Sequence, residues 1–347
     1  GRNTTAILKS CTSDSTTPDA EYSLVSLNSG TPSNFVVNVV DAPAAAIKIM
    51  YCVLGGTDIT GARAGSFTVP TSGTPQDVTV VASFGQPDFI FFSTAPNNTG
   101  DVQGNATMGF QVGKNDTERF GSNVGLVDAS AATNISTYQK QQCFTGITAA
   151  GAIDFEGDLS AKASWPTDGF QISWFDFAGS SATGNFYVAL KGTFQSAIGE
   201  NSSLTSGGPT DNACGFAPVV AGIFGGNQVN TATPITSGTG LGAWYIGASD
   251  GTNERWAGWS ADDALATNAR YDARYSESKT LVMMTPETPT KEADADGSFS
   301  GNNFRLSYTD FDTTNRQYGW WALGASAAAA ARSFPPVPYP PTSYLPI

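Results

Sequence analysis

Gly247-Ala248-Ser249-Asp250-Gly251 has the G-x-S-x-G spacing of a nucleophile elbow. In that motif a serine on a sharp strand-to-helix turn is deprotonated by a histidine. The chain contains no histidine, so the pentapeptide reads as a turn at the end of a strand. Gly238-Thr239-Gly240-Leu241-Gly242-Ala243 has a loose dinucleotide spacing, which requires a helix to open behind it and present its N-terminus to a pyrophosphate. The residues that follow, Ala243-Trp244-Tyr245-Ile246-Gly247-Ala248-Ser249, form a strand pattern instead. Gly113-Lys114-Asn115 lacks the hydroxyl residue and the spacing of a phosphate loop.

The carboxylates were weighed in the same way. Asp294-Ala295-Asp296-Gly297 starts like a calcium loop, but no glutamate stands twelve positions along to complete the oxygen cage. It reads as a solvated turn, as does Asp262-Asp263. Paired carboxylates can hydrolyse glycosides without histidine, and the doublet Glu118-Arg119 returns as Glu254-Arg255. A doublet present in both halves serves what the halves share, so structural ion pairing is expected. Six N-x-S/T sequons occur, at Asn3, Asn97, Asn105, Asn115, Asn134 and Asn201, close to the number that chance supplies at this Ser/Thr content. The expectation is a protein that is not an enzyme and needs no cofactor and no metal.

The bulk numbers narrow the partners. Charged residues are 14% of the 347 and the formal net charge is −13. Without a Lys/Arg cluster there is nothing to neutralise a phosphate backbone, so nucleic acid is excluded as a partner. No apolar run reaches membrane-span length, so no membrane insertion is expected, and no signal peptide is visible. The four cysteines, Cys11, Cys52, Cys143 and Cys214, lack C-x-x-C spacing. Free buried thiols are expected, with a disulfide as the alternative.

The elements that would carry these residues are short strands separated by Gly, Pro, Asn and Asp. The stretch 168–192, DGFQISWFDFAGSSATGNFYVALKG, alternates, breaks and alternates again. Its shape returns at 302–326 and, more loosely, at 33–56. Aligned on Phe35, Phe170 and Phe304, the three lie 135 and 134 residues apart. Ala132-Thr133-Asn134 then meets Ala266-Thr267-Asn268, Ser164-Trp165 meets Ser298-Phe299, and a strand ending at Phe92 meets one ending at Phe224. This register predicts a tandem duplication of one sandwich-sized unit. Phe170, Ile172 and Trp174 share one face, and the returning strand ends at Leu190, matched by Leu54 and Leu323. The stretch reads as a hairpin at the centre of each sandwich.

The expected organisation is all-β: two tandem antiparallel β-sandwich (jelly-roll-like) domains, at 57–192 and 193–325. Residues 1–33 form an N-terminal arm, 34–56 an extra hairpin packed on or completing a sandwich, and 326–347 an Ala/Pro-rich C-terminal arm. The apolar content of that last arm, in Phe334, Val337, Tyr339, Tyr344, Leu345 and Ile347, marks it as an assembly contact.

The pattern "GSFTVPTSGTPQDVTV", "SFGQPDFIFF", "MGFQVG" and "DGFQISW…NFYVALKG" or "NNFRLSY…YGWWALGA" resembles a β-sandwich module of uncharacterised structural proteins of tailed bacteriophages. The resemblance spans about residues 60–325. It implies a virion component, a head decoration or a tail or fibre subunit. The implied partners are other copies of the chain and other virion proteins, with host-surface glycans as a further partner. A carbohydrate-binding or adhesion module is the alternative, with Trp244, Trp256 and Trp259 as stacking candidates. A pilin-like filament subunit joined by strand donation is another, at a cell surface or in an extracellular filament.

Overall fold

The computed structural model describes residues 8–11, 18–28, 34–42, 49–73, 75–95, 105–127, 135–147, 152–177, 184–226, 228, 235–236, 242–261, 271–284 and 291–327. The regular structure of the described residues is antiparallel strand apart from one 3-10 turn at Lys162–Ser164, as the β-branched, aromatic and turn-forming composition predicts. Three strands come first: β1 (Leu8–Cys11), β2 (Pro18–Asn28) and β3 (Asn34–Asp41). The next ten are β4 (Ile59–Thr68), β5 (Gln76–Thr79), β6 (Phe89–Ala95), β7 (Asn105–Gly113), β8 (Arg119–Val127), β9 (Ile135–Lys140), β10 (Phe144–Ile147), β11 (Ile153–Leu159), β12 (Gly169–Asp176) and β13 (Gly184–Gly192). Eleven follow: β14 (Gln195–Ser202), β15 (Pro209–Ala213), β16 (Val220–Gly226), β17 (Ile235–Thr236), β18 (Gly242–Ser249), β19 (Glu254–Ala261), β20 (Tyr271–Ser276), β21 (Leu281–Met284), β22 (Lys291–Ser300), β23 (Asn303–Asp310) and β24 (Gln317–Gly324).

In the first body a sheet ordered β9-β8-β7-β6-β13-β4 covers a sheet ordered β10-β11-β12-β5. The second body runs β20-β19-β18-β16-β24-β14 over β21-β22-β23-β15. Strand for strand, with β17 set aside, the two orders are the same. The ladders can be matched at one point. Gly65 lies opposite Tyr187 in the first body, and Gly199 lies opposite Trp320 in the second. This matches Leu190 with Leu323 and fixes every neighbouring strand.

Two expected hairpins are not hairpins. β12 lies in the smaller sheet and β13 in the larger; β23 and β24 are divided in the same way. The alternation was read correctly, but it shows only that each strand has a buried face. Here those faces meet across the core, with the Phe170 and Tyr187 rings 5.2 Å apart and edge-on. Strands β13 and β24 are flanked on both sides, by β6 and β4 and by β16 and β14, so no edge is left for the preceding strand.

The N-terminal region also departs from expectation. Residues 8–11 and 18–28 are strands rather than an arm, and β3 pairs with β2, Phe35 opposite Leu27. Residues 49–55 form no strand. The loose third hairpin at 34–56 is therefore replaced by a three-stranded sheet, β1-β2-β3. The segment Glu21–Asn28 mixes polar and apolar residues as a half-covered strand does, whereas 49–54 is apolar throughout, and it is joined to β3 by a Ser-Gly-Thr-Pro-Ser turn sequence, so it is the nearer partner.

Three apolar cores result. One fills the first sandwich, around Phe92, Phe144, Phe155, Phe170 and Trp174. Another fills the second, around Tyr245, Trp256, Phe304, Leu306 and Trp320. The third lies between the two larger sheets and joins Phe89, Val112, Phe120 and Leu190 to Phe224, Trp321 and Leu323. Strand β6 shows how this is encoded: Ile90 and Phe92 point into their own sandwich while Phe89 and Phe91 point at the other. A strand apolar on both faces is one that must be covered on both. The two largest sheet faces are therefore spent inside the chain, which leaves the outer faces, sheet edges and terminal segments for any partner.

Polar bonds lock the bodies together. Gln139, buried on β9, donates from Nε2 to the carbonyls of Gly226 at 2.8 Å and Gln317 at 3.1 Å, and its own N–H reaches Oε1 of Gln228 at 2.7 Å. Strand β17 adds to the edge of β9, with Ile235 opposite Thr137. Lys114 Nζ donates to the Ser196 carbonyl at 3.0 Å.

Candidate interaction surface

The chain enters the first sandwich through residues 49–58, which pair with no strand. Leu54 anchors this segment by packing on the inter-sheet core. Beyond it, Gly56 turns the chain at φ 125°, a conformation that costs other residues dearly. Asp58 then ties the entry to the exit of the double sandwich. Its carbonyl accepts the N–H of Thr193 at 2.9 Å, and its Oδ2 accepts the N–H of Ser326 at 3.1 Å. Between this segment and the second sandwich lies a groove of 790 Å³, lined among others by Tyr51, Val53, Phe194, Val219 and Leu323.

The groove is apolar and open. Ile49, Val53 and Val219 are 45%, 69% and 53% exposed. Large apolar side chains clustered at one place mark an interaction surface more often than scattered ones do. The rim is built by the β18–β19 turn. Asp250 caps that turn by accepting the N–H groups of Thr252 at 2.9 Å and Asn253 at 2.7 Å. Partial burial pushes its carboxyl up, but the Asn253 and Thr252 donors and the Arg255 charge outweigh that and leave it below the usual range. Arg255 is held by the carbonyls of Glu254 and Glu277 at 2.6 and 2.9 Å.

The sequence motifs fall into the fold's own bonding. Ser249 is buried, donates to the Gly297 carbonyl at 3.0 Å and accepts from Gly251 N–H at 3.0 Å. Asp294 and Asp296 sit in strand β22 rather than a turn. Asp294 takes Lys291 at 2.5 Å and the hydroxyl of Thr309, while Asp296 takes Lys279 at 2.6 Å. Asp262 and Asp263 lie outside the described residues. Among the described residues no cluster of His, Cys, Asp and Glu is arranged to hold a metal, and no helix is long and apolar enough to cross a membrane.

The two Glu-Arg doublets are not equivalent. Register places Glu254 where the first body has Arg119, one position off the sequence match. Arg119 makes a partly buried ion pair with Asp158 at 2.6 Å, and Glu118 pairs with Lys114 at 2.8 Å. Glu254 instead accepts Thr280 Oγ1 and Gly297 N–H, both at 2.8 Å. The same slip affects the aromatic match: the partner of Phe92 is Ile223, which faces inward, and not Phe224, which faces the other body.

Of the stacking candidates, Trp256 is corrected outright. It is 1% exposed in the core of the second sandwich and offers no face to a sugar. Trp244 and Trp259 are half-buried and stand directly opposite each other across β18 and β19. Phe334, Val337, Tyr339, Tyr344, Leu345 and Ile347 lie outside the described residues. Cys143 and Cys214 are buried free thiols and Cys52 is a free exposed one. Burial raises the Cys143 thiol well above its ordinary value, with Asp158 adding to the effect, so it is chemically quiet.

Sequence reading missed the groove. Its signal, the unbroken apolar run Ile49–Leu54 before a glycine pair, reads equally as the second arm of a hairpin. Comparison of the chain with protein-family models, with curated proteins and with solved structures finds no match.

Proposed function

We propose that this protein is a non-enzymatic structural component of a virus particle, a phage head decoration or a tail or fibre subunit, which associates with other copies and other virion proteins through its terminal segments and outer surfaces. One observation carries the reading most. The body buries its two large sheet faces against each other and leaves an open apolar groove where both terminal segments join it. The fate of the polar groups supports it too, since the motif serine and the candidate carboxylates among the described residues are engaged by backbone, by threonine hydroxyls and by lysine. The shared strand order supports descent of both bodies from one unit. Electron microscopy of particles from the native source, labelled with antibody against the chain, tests the reading. Gold on heads or tails is the expected result, and label confined to particle-free material would sink it.

A glycan-binding reading draws on one specific feature, the cross-strand pair Trp244 and Trp259. A glycan array on wild type and Trp259→Ala separates it from the first. Binding lost in the variant would favour it.

A further inference from the structure

We infer that in the free subunit the groove between residues 49–58 and the second sandwich is filled by the chain's own C-terminal segment, residues 334–347. The inference rests on the reading of the termini as assembly elements and gives one of them a seat.

Three observations carry it. The first is position. Leu323, Gly324 and Ala325 line the groove, and the Ser326 N–H is bonded to Asp58 on the opposite wall. The chain therefore leaves the described body at Ala327 from inside the groove's own rim. The second is length. Phe334 stands seven positions beyond Ala327, and an extended chain spans at most ~25 Å over that distance, enough to turn back and lay the remainder along the groove. The third is chemistry. The groove presents Tyr51, Val53, Phe194 and Val219, and aromatic-lined apolar grooves are what stiff, proline-rich segments dock into. The segment sets Phe334, Val337, Tyr339, Tyr344, Leu345 and Ile347 among prolines, and Arg332, two residues before it, is the one charged side chain after Ala327. Asp250, on the rim, carries a carboxyl for that arginine to meet. Tethering favours the chain's own tail over a neighbour's, because a short linker keeps the segment at millimolar effective concentration.

The consequence is a parked arm. A subunit whose tail covers its groove presents less sticky surface before assembly than after the tail has been displaced.

Cys52 lies in the groove wall and supplies the test in a Cys11→Ser background, because Cys143 and Cys214 are buried. Full-length Phe334→Cys, Val337→Cys and Tyr339→Cys variants are oxidised at low protein concentration and run on non-reducing gels. The expected product is a monomer with an internal bridge, identified by mass spectrometry as linking the new cysteine to Cys52 and absent when Cys52→Ser is added. A dimer bridged through Cys52 would show that a neighbour's tail fills the groove and would overturn the same-chain seat. No bridge to Cys52 from any of the three positions would overturn the groove as the tail's seat altogether. A second readout is alkylation of Cys52 in otherwise wild-type protein. Phe334→Asp should speed it at least about tenfold, since a charge in an apolar seat costs more than one decade in the closing equilibrium. An unchanged rate would count against the proposal. The bridge can form in a protein that never labels a virus particle, so failure here and failure of the virion reading are separate results.

Discussion

In the first sandwich Gly146 stands opposite Phe155; at the same place in the second, Met283 stands opposite Ala293. Gln111 faces Gly121 in one body, whereas Gly247 faces Trp256 in the other. Gly109 faces Asn123, and its counterpart pair is Tyr245 with Gly258. In each case the small residue has moved to the partner strand. A Cβ on Gly146 would lie 2.0 Å from the Phe155 ring, and one on Gly258 would lie 2.5 Å from the Trp256 ring. In the first of these exchanges the summed volume of the pair is nearly kept while that of each position is not, which is how close-packed interiors accept change; in the other two the large partner also grows, from Gln to Trp and from Asn to Tyr. Where the neighbours cannot trade places, as with Gly65 under Tyr187 and Gly199 under Trp320, both bodies keep the glycine.

The comparison is sharpest at the first of these pairs. Gly146→Met alone forces a side chain into the Phe155 ring and should cost about 3 kcal/mol. Phe155→Ala alone leaves a cavity and should cost about 3–5 kcal/mol. The double variant rebuilds the Met/Ala pair of the second sandwich. Its cost should fall short of the sum by at least about 2 kcal/mol in a urea-denaturation cycle. Strict additivity would mean that the two sandwiches do not share this packing site.

The doublets offer the next test. Arg119→Ala strands Asp158, which burial already pushes above the usual carboxylate range despite the Arg119 hydrogen bond and charge, and should cost about 3 kcal/mol. Arg255→Ala, which frees two surface carbonyls and takes one screened charge away from Asp250, should stay within about 0.5 kcal/mol. Equal losses by thermal melting would restore the equivalence that the sequence suggested.

The smallest effect is one of pH. Burial pushes the Asp294 carboxyl up, but hydrogen bonds from Lys291 and Thr309 and the Lys279 charge bring it below its ordinary value. A depressed carboxyl stabilises fully above the unfolded-chain value near ~3.9, and that contribution is lost as pH falls through the lower folded value. Asp158 is raised, so its ionisation costs stability as pH rises through the folded value, and acid relieves it. Asp294→Asn should therefore flatten the loss of stability below about pH 4, followed by near-ultraviolet circular dichroism. An acid limb as steep as that of wild type would remove Asp294 from the account.

Strand content and the equivalence of Phe170 with Phe304 and of Leu190 with Leu323 were legible in the sequence, because long aromatic alternations leave few registers open. The matches at Phe92 and at the Glu-Arg doublets were each one residue off. Loops between the strands differ in length, so a fixed step cannot hold throughout, and a slip of one residue turns a side chain to the opposite face of its sheet. Pairing was less legible than periodicity: β12 and β13 alternate whether they lie side by side or face to face. The inter-sheet core had a visible signal in the unbroken apolar runs Phe89–Phe92 and Trp320–Leu323, which were read as ordinary strands. The groove had none that alternation could separate from a strand.

The hydrogen bond from Ser326 to Asp58 brings the first and last residues of the double sandwich to the same spot. A body whose ends meet can be cut open elsewhere and sewn shut there, since closing the old ends needs only a short bridge. Joining 58 to 326 and opening the chain at the 192–195 link would exchange the order of the two halves while keeping every strand pair of the double sandwich, with the β1–β3 sheet left out. The same closure makes the body a cassette: inserted into a surface loop of a host chain, it would part the host's own ends by no more than the reach of one aspartate side chain and the hydrogen bond it accepts.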